Sequence, residues 1–272
     1  MARTQLKKLL DHCDTMQKLL KTNPIDQDYA HIECDGEVWN VEQVIEALTP
    51  LILEPRVERM RSVLETRLTT VALALEDLHL GHNGAACLRT AEGLGVHDIV
   101  AAELSGPYPT EDDSEFVAAC PSYVPRKVTK AAHQWIDLTT TSTSAGLFDW
   151  AQARGMKIYG AGPRGTMTLD DVPVDEPIAI LFGNEKRGLR EDTMDRCDQV
   201  FRIPMYGFTE SFNVSVSVGM ALTNICARKR AWLAERGLKG DMPAERQKFL
   251  LAKWMISDQR APGQLLRRLI KA

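Results

Sequence analysis

Two stretches set the pattern of this chain. Leu68–Glu76 (LTTVALALE) and Ile178–Phe182 (IAILF) are nearly continuous apolar runs, the form taken by strands buried on both faces of a parallel sheet. The second runs straight into a glycine and a charged loop, GNEKRG (183–188), which predicts a strand that delivers backbone groups to the carboxyl edge of that sheet. Further strands are predicted at 98–103, 156–161 and 199–203. Helices are predicted over 85–94, stopped by Gly95, over 144–154, over 190–196, and from Asn213 to about Glu235. This order of elements predicts an α/β fold: a mostly parallel sheet flanked by helices.

The two ends read differently. Leu6, Leu9, Leu10, Cys13 and Leu20 recur at helical spacing and Asn23-Pro24 stops them, predicting a helix over 3–22. An alternating stretch at 31–38, turned by Asp35-Gly36, and a helix over 41–48 begun by Asn40 complete a small, mainly helical N-terminal extension, 1–54. PRVERMRSVLETR (55–67) predicts a helix with Arg56, Arg59 and Arg67 along an exposed side. Ser105–Pro125, rich in proline, acidic and small residues, reads as a long surface loop. Gly237, Gly240 and Pro243 then break the chain before a last helix, from Pro243 to about Ile256, with Arg267, Arg268 and Lys271 as a mobile basic end. The expected divisions are 1–54, 55–235 and 236–272.

Charge sets the tail apart. Residues 1–54 hold 5 Lys/Arg and 10 Asp/Glu (−5), residues 55–227 hold 16 and 23 (−7), and residues 228–272 hold 12 and 4 (+8), giving the overall −4. A polyanion responds to local clusters, because screening confines the attraction to roughly 10 Å, so the tail is the candidate polyanion-binding part. The six cysteines are scattered without a C-x-x-C pair, which fits reduced core thiols. No apolar run approaches membrane-spanning length and no basic-then-apolar leader is present, so a cytoplasmic protein without membrane contact is expected.

The chemistry-bearing residues gather at predicted turns. Glu210, Ser211 and Asn213 fall at a helix start, where Ser and Asn cap free N–H groups. Arg89 lies six residues after Asn83, on the helix predicted over 85–94; pointing inward it would need a phosphate, a developing alkoxide or a core carboxylate to meet it. His79 and His82 lack further ligands at metal spacing, so no metal is expected. The glycine-rich turn 160–165 has no G-x-G-x-x-G pattern and no following helix, so it is not a dinucleotide site. Phe148 and Trp150 read as core residues rather than base-stacking platforms.

HNGAACLRTAEGLGV (82–96), IAILFGNEKRG (178–188) and IPMYGFTESFNVSVSVGMAL (203–222) together resemble the three motifs of the SpoU branch of the SPOUT methyltransferases, specifically the TrmH-like tRNA ribose methyltransferases. The match spans roughly 56–256 in the family's order, implies a strand at AHQWIDL (132–138), and pairs Asn83 with Arg89, Gly183 with Glu185, and Ser211 with Asn213. The resemblance implies a C-terminal deep trefoil knot, a homodimer with contacts near Met220, Leu222 and Ile225, and S-adenosyl-L-methionine bound in the knot. It implies methylation of an RNA ribose 2′-hydroxyl, with guanosine 18 of the tRNA D-loop as the subfamily's target. Ribosomal RNA, or RNA binding without catalysis, are the alternatives.

The resemblance implies catalytic roles for Arg89, Glu185, Ser211 and Asn213. Arg89 would stabilise an alkoxide or grip a phosphate, since a guanidinium is not deprotonated in proteins. Glu185 would orient Arg89 or accept the proton. Donor contacts are implied at Ala161, Leu181, Gly183, Ile203, Met205 and Phe212, mainly through backbone groups. RNA contacts are implied at Asn83, Arg56, Arg59, Arg67 and Lys253, with Arg126, Lys127 and Lys130 as further candidates. The family does not carry the extension 1–54, and its role is left open.

Overall fold

The computed structural model describes residues 28–78, 81–102 and 132–271. The expected helix over 3–22, the loop 105–125, His79, and the cations at 126, 127 and 130 lie outside the described residues.

Strands β1 (His31–Cys34) and β2 (Glu37–Asn40) pair antiparallel, His31 with Asn40 and Cys34 with Glu37. They are joined by Asp35 and Gly36 at φ 50° and 76°, the Asp-Gly turn that matches hairpin twist. Asn40 then caps α1 (Val41–Leu48), its Oδ1 accepting from the amides of Glu42 (3.0 Å) and Gln43 (3.2 Å). Pro55 opens the first turn of α2 (Glu54–Glu65), where Val57, Met60 and Leu64 form the buried stripe.

The next segment builds a six-stranded sheet among the described residues. It comprises β3 (Val71–Glu76), α3 (Gly81–Gly93), β4 (Asp98–Ala102), β5 (Asp137–Thr141), α4 (Ser144–Ala153), β6 (Lys157–Ala161), β7 (Ile178–Phe182), α5 (Glu191–Met194), β8 (Gln199–Phe201) and α6 (Val214–Ala234). Strand order is β5-β4-β3-β7-β6-β8, with every pair parallel. Alternation divides the central strands between two cores. Leu73, Leu75, Ile180 and Phe182 join Leu88 of α3 and Val218, Leu222 and Ile225 of α6 on one face. Ala72, Ala74, Ala179 and Leu181 join Leu147 and Trp150 of α4 on the other.

Three differences from the sequence reading have physical causes. The stretch 132–138 forms a 3-10 turn, Ala132–Trp135, before β5, and β5 starts where the amide of Asp137 meets the His97 carbonyl at 2.9 Å. Leu222 and Ile225 are fully buried in their own core, so of the residues read as dimer contacts only Met220 keeps exposed surface. Helix α3 begins at Gly81, which puts Asn83 inside its first turn.

After α6 come α7 (Ala244–Ser257) and α8 (Pro262–Ile270). Of the described residues, 68–238 form one compact unit, and 28–67 with 239–271 form another. These units do not follow divisions at 54/55 and 235/236. In the second unit α7 packs on α1 and α2, and α8 on α1. Tail cations meet the carboxylates of the N-terminal part: Lys248 with Glu42 (2.6 Å), Arg267 and Lys271 with Glu37 (2.9 and 2.8 Å), and Lys239 with Glu65 (2.9 Å). The basic end is therefore not loose, because Gly263 and Leu266 are buried and Arg267 and Lys271 are paired. Exposed pairs of this kind contribute at most about 1 kcal/mol each, so apolar packing carries the docking.

Strand β8 lies between two other segments. Its Phe201 carbonyl accepts from Gly162 on the β6 side at 2.9 Å, while Arg202 donates to the Met167 carbonyl on the other, also at 2.9 Å. A Cβ on Gly165 would stand 2.5 Å from the backbone of Phe201. Gly165→Ala must therefore displace main chain, at about 1–3 kcal/mol, and should lower Tm by several degrees in a thermal melt. Gly93→Ala, with nothing within 4 Å, should leave Tm unchanged or raised.

Candidate active site

The sheet changes direction at β3 and β7. From β3 the chain proceeds outward to β4 and β5; β7, β6 and β8 lie on the other side. The last ladder pair there, Leu75 with Phe182, puts the carboxyl ends of both strands side by side, the place where open parallel sheets leave a crevice for ligands.

Beyond β7 the chain makes a closed loop. The Asn184 amide donates to the Gly188 carbonyl (3.1 Å), Gly188 donates back (2.8 Å), and the Asn184 side-chain oxygen accepts from the amides of Lys186 and Arg187. A Cβ on Gly183 would stand 2.3 Å from the backbone of Gly188 and Leu189, so only glycine allows the returning strand to pass. Glu185 is held at the loop's head, half-buried.

Three distant segments meet at Asn83. Its Nδ2 donates to Glu185 Oε1 at 2.9 Å across 102 residues, and its Oδ1 accepts from Asn213 Nδ2 at 3.2 Å across 130. Asn213 is also the N-cap of α6, with Oδ1 accepting from the amide (2.9 Å) and hydroxyl (2.6 Å) of Ser215. One turn below Asn83, burial and, after it, the negative charge of Glu185 push the Cys87 thiol up to about 12.

The other predicted residues divide. Arg89 is exposed, not inward-facing, and has no ion pair or hydrogen bond among the described residues; Glu185 engages Asn83 instead. Ser211 and Phe212 are exposed on the loop leading to Asn213. Leu181 is fully buried between Ala74 and Gly160. Arg67 is 1% exposed and so not on a solvent face, Arg56 pairs with Asp258 at 3.1 Å, Arg59 is exposed and Lys253 half-buried. Those four residues belong to the other compact unit. Sequence reading missed Glu76, Asp77 and Asn184; the signal was an acidic pair ending an apolar strand, since buried carboxylates need partners.

A family model described as the SpoU rRNA Methylase family matches residues 70–223. The chain belongs to that family. The tRNA (guanosine(18)-2'-O)-methyltransferase of Borreliella burgdorferi is 28% identical over 188 residues, which cover 68% of this chain and 79% of that enzyme. A 23S rRNA (guanosine-2'-O-)-methyltransferase from Coxiella burnetii is 31% identical over 171 residues, 62% of this chain and 64% of that enzyme. The A. aeolicus TrmH/SpoU tRNA modifying enzyme shares the fold, with a TM-score of 0.63 at 24% identity over 76% of this chain and 98% of that one.

As a SpoU methylase the chain is an RNA 2'-O-methyltransferase with S-adenosylmethionine as methyl donor. The edge beside the Asn83 cluster suits such a donor, which has no phosphate and asks for apolar walls and backbone groups. Ala161, which ends β6, and Ile203 and Met205, just past β8, are half-buried. From Ile203 to Phe212 the backbone makes no backbone hydrogen bond among the described residues, and Tyr206 and Phe208 are fully exposed. Among the described residues no group of acids, cysteines and histidines could hold a metal.

The Cys87 shift has a consequence for stability. Below the ordinary thiol pKa of 9.0 the folded and unfolded chains both hold the proton; between 9.0 and about 12 only the unfolded chain loses it. Stability should therefore fall as pH rises through that window. Burial likewise raises Cys197 and Tyr159 to about 12. In melts from pH 8 to pH 11, Cys87→Ala should flatten the decline relative to wild type; an unchanged slope would place the loss elsewhere.

Proposed function

We propose that this SpoU methylase acts on tRNA, at the 2′-hydroxyl of guanosine 18 in the D-loop, as a cytoplasmic homodimer. The observation that carries the chemistry is the hydrogen-bonded line Glu185–Asn83–Asn213, which draws residues from all three motifs to one crevice. For the substrate, the support is coverage: the alignments span 79–80% of the tRNA (guanosine(18)-2'-O)-methyltransferases and 56–74% of the 23S rRNA enzymes. A trefoil knot in the donor-binding segment belongs to the same reading, supported by β8 lying between β6 and Met167.

The bound donor supplies an electrophilic methyl carbon, and the protein's task is to hold a weakly nucleophilic hydroxyl in line with it. Arg89, exposed and unpaired among the described residues, is available to the RNA phosphate or to the alkoxide developing at the 2′-oxygen. Asn83 shares its amide between Glu185 and Asn213, which fixes the carboxylate as an acceptor on the ribose side. Ser211, on the adjoining exposed loop, is in reach of solvent and substrate rather than of the core.

Incubation with labelled S-adenosylmethionine and either unmodified tRNA or ribosomal RNA, followed by alkaline hydrolysis, tests the reading. A 2′-O-methyl group removes the nucleophile that cleaves the chain, so label should appear in alkali-resistant dinucleotides from tRNA and not from ribosomal RNA. Arg89→Ala should lower turnover by on the order of 10²–10³-fold while donor affinity, measured by calorimetry, stays within about twofold. Equal losses in both would contradict the role given to Arg89.

A further inference from the structure

The loop that presents Glu185 is tied down from below by two carboxylates to which the proposed chemistry gives no part. Glu76, 1% exposed, ends β3; its Oε1 accepts from the hydroxyls of Ser144 and Thr193, and its Oε2 from the amide of Arg190 at 3.2 Å. Asp77 follows, 4% exposed, and its amide donates to the Ala102 carbonyl at 2.9 Å. Its carbonyl accepts from Asn184 Nδ2 at 2.6 Å and its carboxylate pairs with Arg187. Asn184 and Arg187 stand on either side of Glu185 and Lys186, so Asp77 grips both legs of the loop.

The backbone at this point is held in an unfavourable state. Asp77 has φ 52°, and the other non-glycine residue with positive φ among the described residues, Asp35, lies in the hairpin turn. A left-handed aspartate at the end of a buried central strand persists only where its surroundings fix it. Here that conformation aims the carbonyl at Asn184 while the side chain meets Arg187.

We propose that Asp77 is a positioning residue for methyl transfer: it locks the 184–188 loop in the one arrangement that brings Glu185 to Asn83. Its kinetic part rests on the methyltransfer reading above; its structural part does not. Removing the carboxylate frees Arg187 and loosens one leg of the loop, so Glu185 spends less time on the Asn83 amide. Asp77 is buried and its contacts run to Ala102, Asn184 and Arg187, so its effect passes through the loop that presents Glu185.

Asp77→Asn tests this, because asparagine tolerates left-handed backbone and retains the carbonyl but loses the ion pair. Hydrogen exchange on the ligand-free protein should show amides of 184–190 opening on the order of 10-fold faster, with β3 and β7 unchanged. Arg187→Gln, at a side chain 64% exposed, removes the same ion pair from its other end and should do the same. In turnover, Asp77→Asn should lower kcat by on the order of 10²-fold with little change in KM for the donor, and should add less than about twofold in a Glu185→Ala background. Unchanged loop exchange in both variants, or an undiminished kcat loss in the Glu185→Ala background, would overturn the proposal. If the wild-type protein methylates no RNA, the substrate reading fails, and the exchange data alone decide the role of Asp77.

Discussion

One carboxamide joins the site. Asn83, 5% exposed, gives its N–H to Glu185 and its oxygen to Asn213. Away from water each of those bonds is expensive to lose, since a buried polar group left unmatched costs about 1–3 kcal/mol. The amide is a donor at one end and an acceptor at the other, and so suits a carboxylate on one side and an amide N–H on the other. Neither aspartate nor leucine could replace it, although both are close in size.

That bond pattern depends on the order of strands. With β3 beside β7 at the point where the sheet reverses direction, the turn after one strand faces the turn after the other, and the intervening strands are free to build both cores. The helix that follows β3 starts at this edge and carries Asn83; the helix that follows β8 starts with Asn213. Packing of α3 against α6 brings the two starts together. Close passage of backbone at Gly183 and Gly165 allows the segment to be this dense.

Much of the fold was legible because it follows from local rules. The apolar runs at 71–76 and 178–182 are strands with every residue buried, Asn40 and Asn213 cap the helices they precede, and Asp35-Gly36 turns the hairpin. The motif residues Asn83, Glu185 and Asn213 were legible through resemblance, though not their mutual bonds. What escaped was decided by distant partners. Periodicity could not show that Arg89 faces outward, or that Leu222 and Ile225 belong to their own core. Charge counting marked the tail as a free basic end, yet Glu37 and Glu42, more than two hundred residues away, hold Arg267, Lys271 and Lys248. The candidate polyanion surface is correspondingly smaller than the +8 of residues 228–272 suggests.

If the shared amide organises the site, its two ends are energetically one unit. The direct measurement is a double-mutant cycle of Asn83→Ala and Asn213→Ala, read in single-turnover methyl transfer to RNA. A coupling of at least about 1 kcal/mol is predicted, with the double variant little worse than the weaker single one. Losses that add to within about 0.3 kcal/mol would show that the two asparagines act separately and would contradict the account.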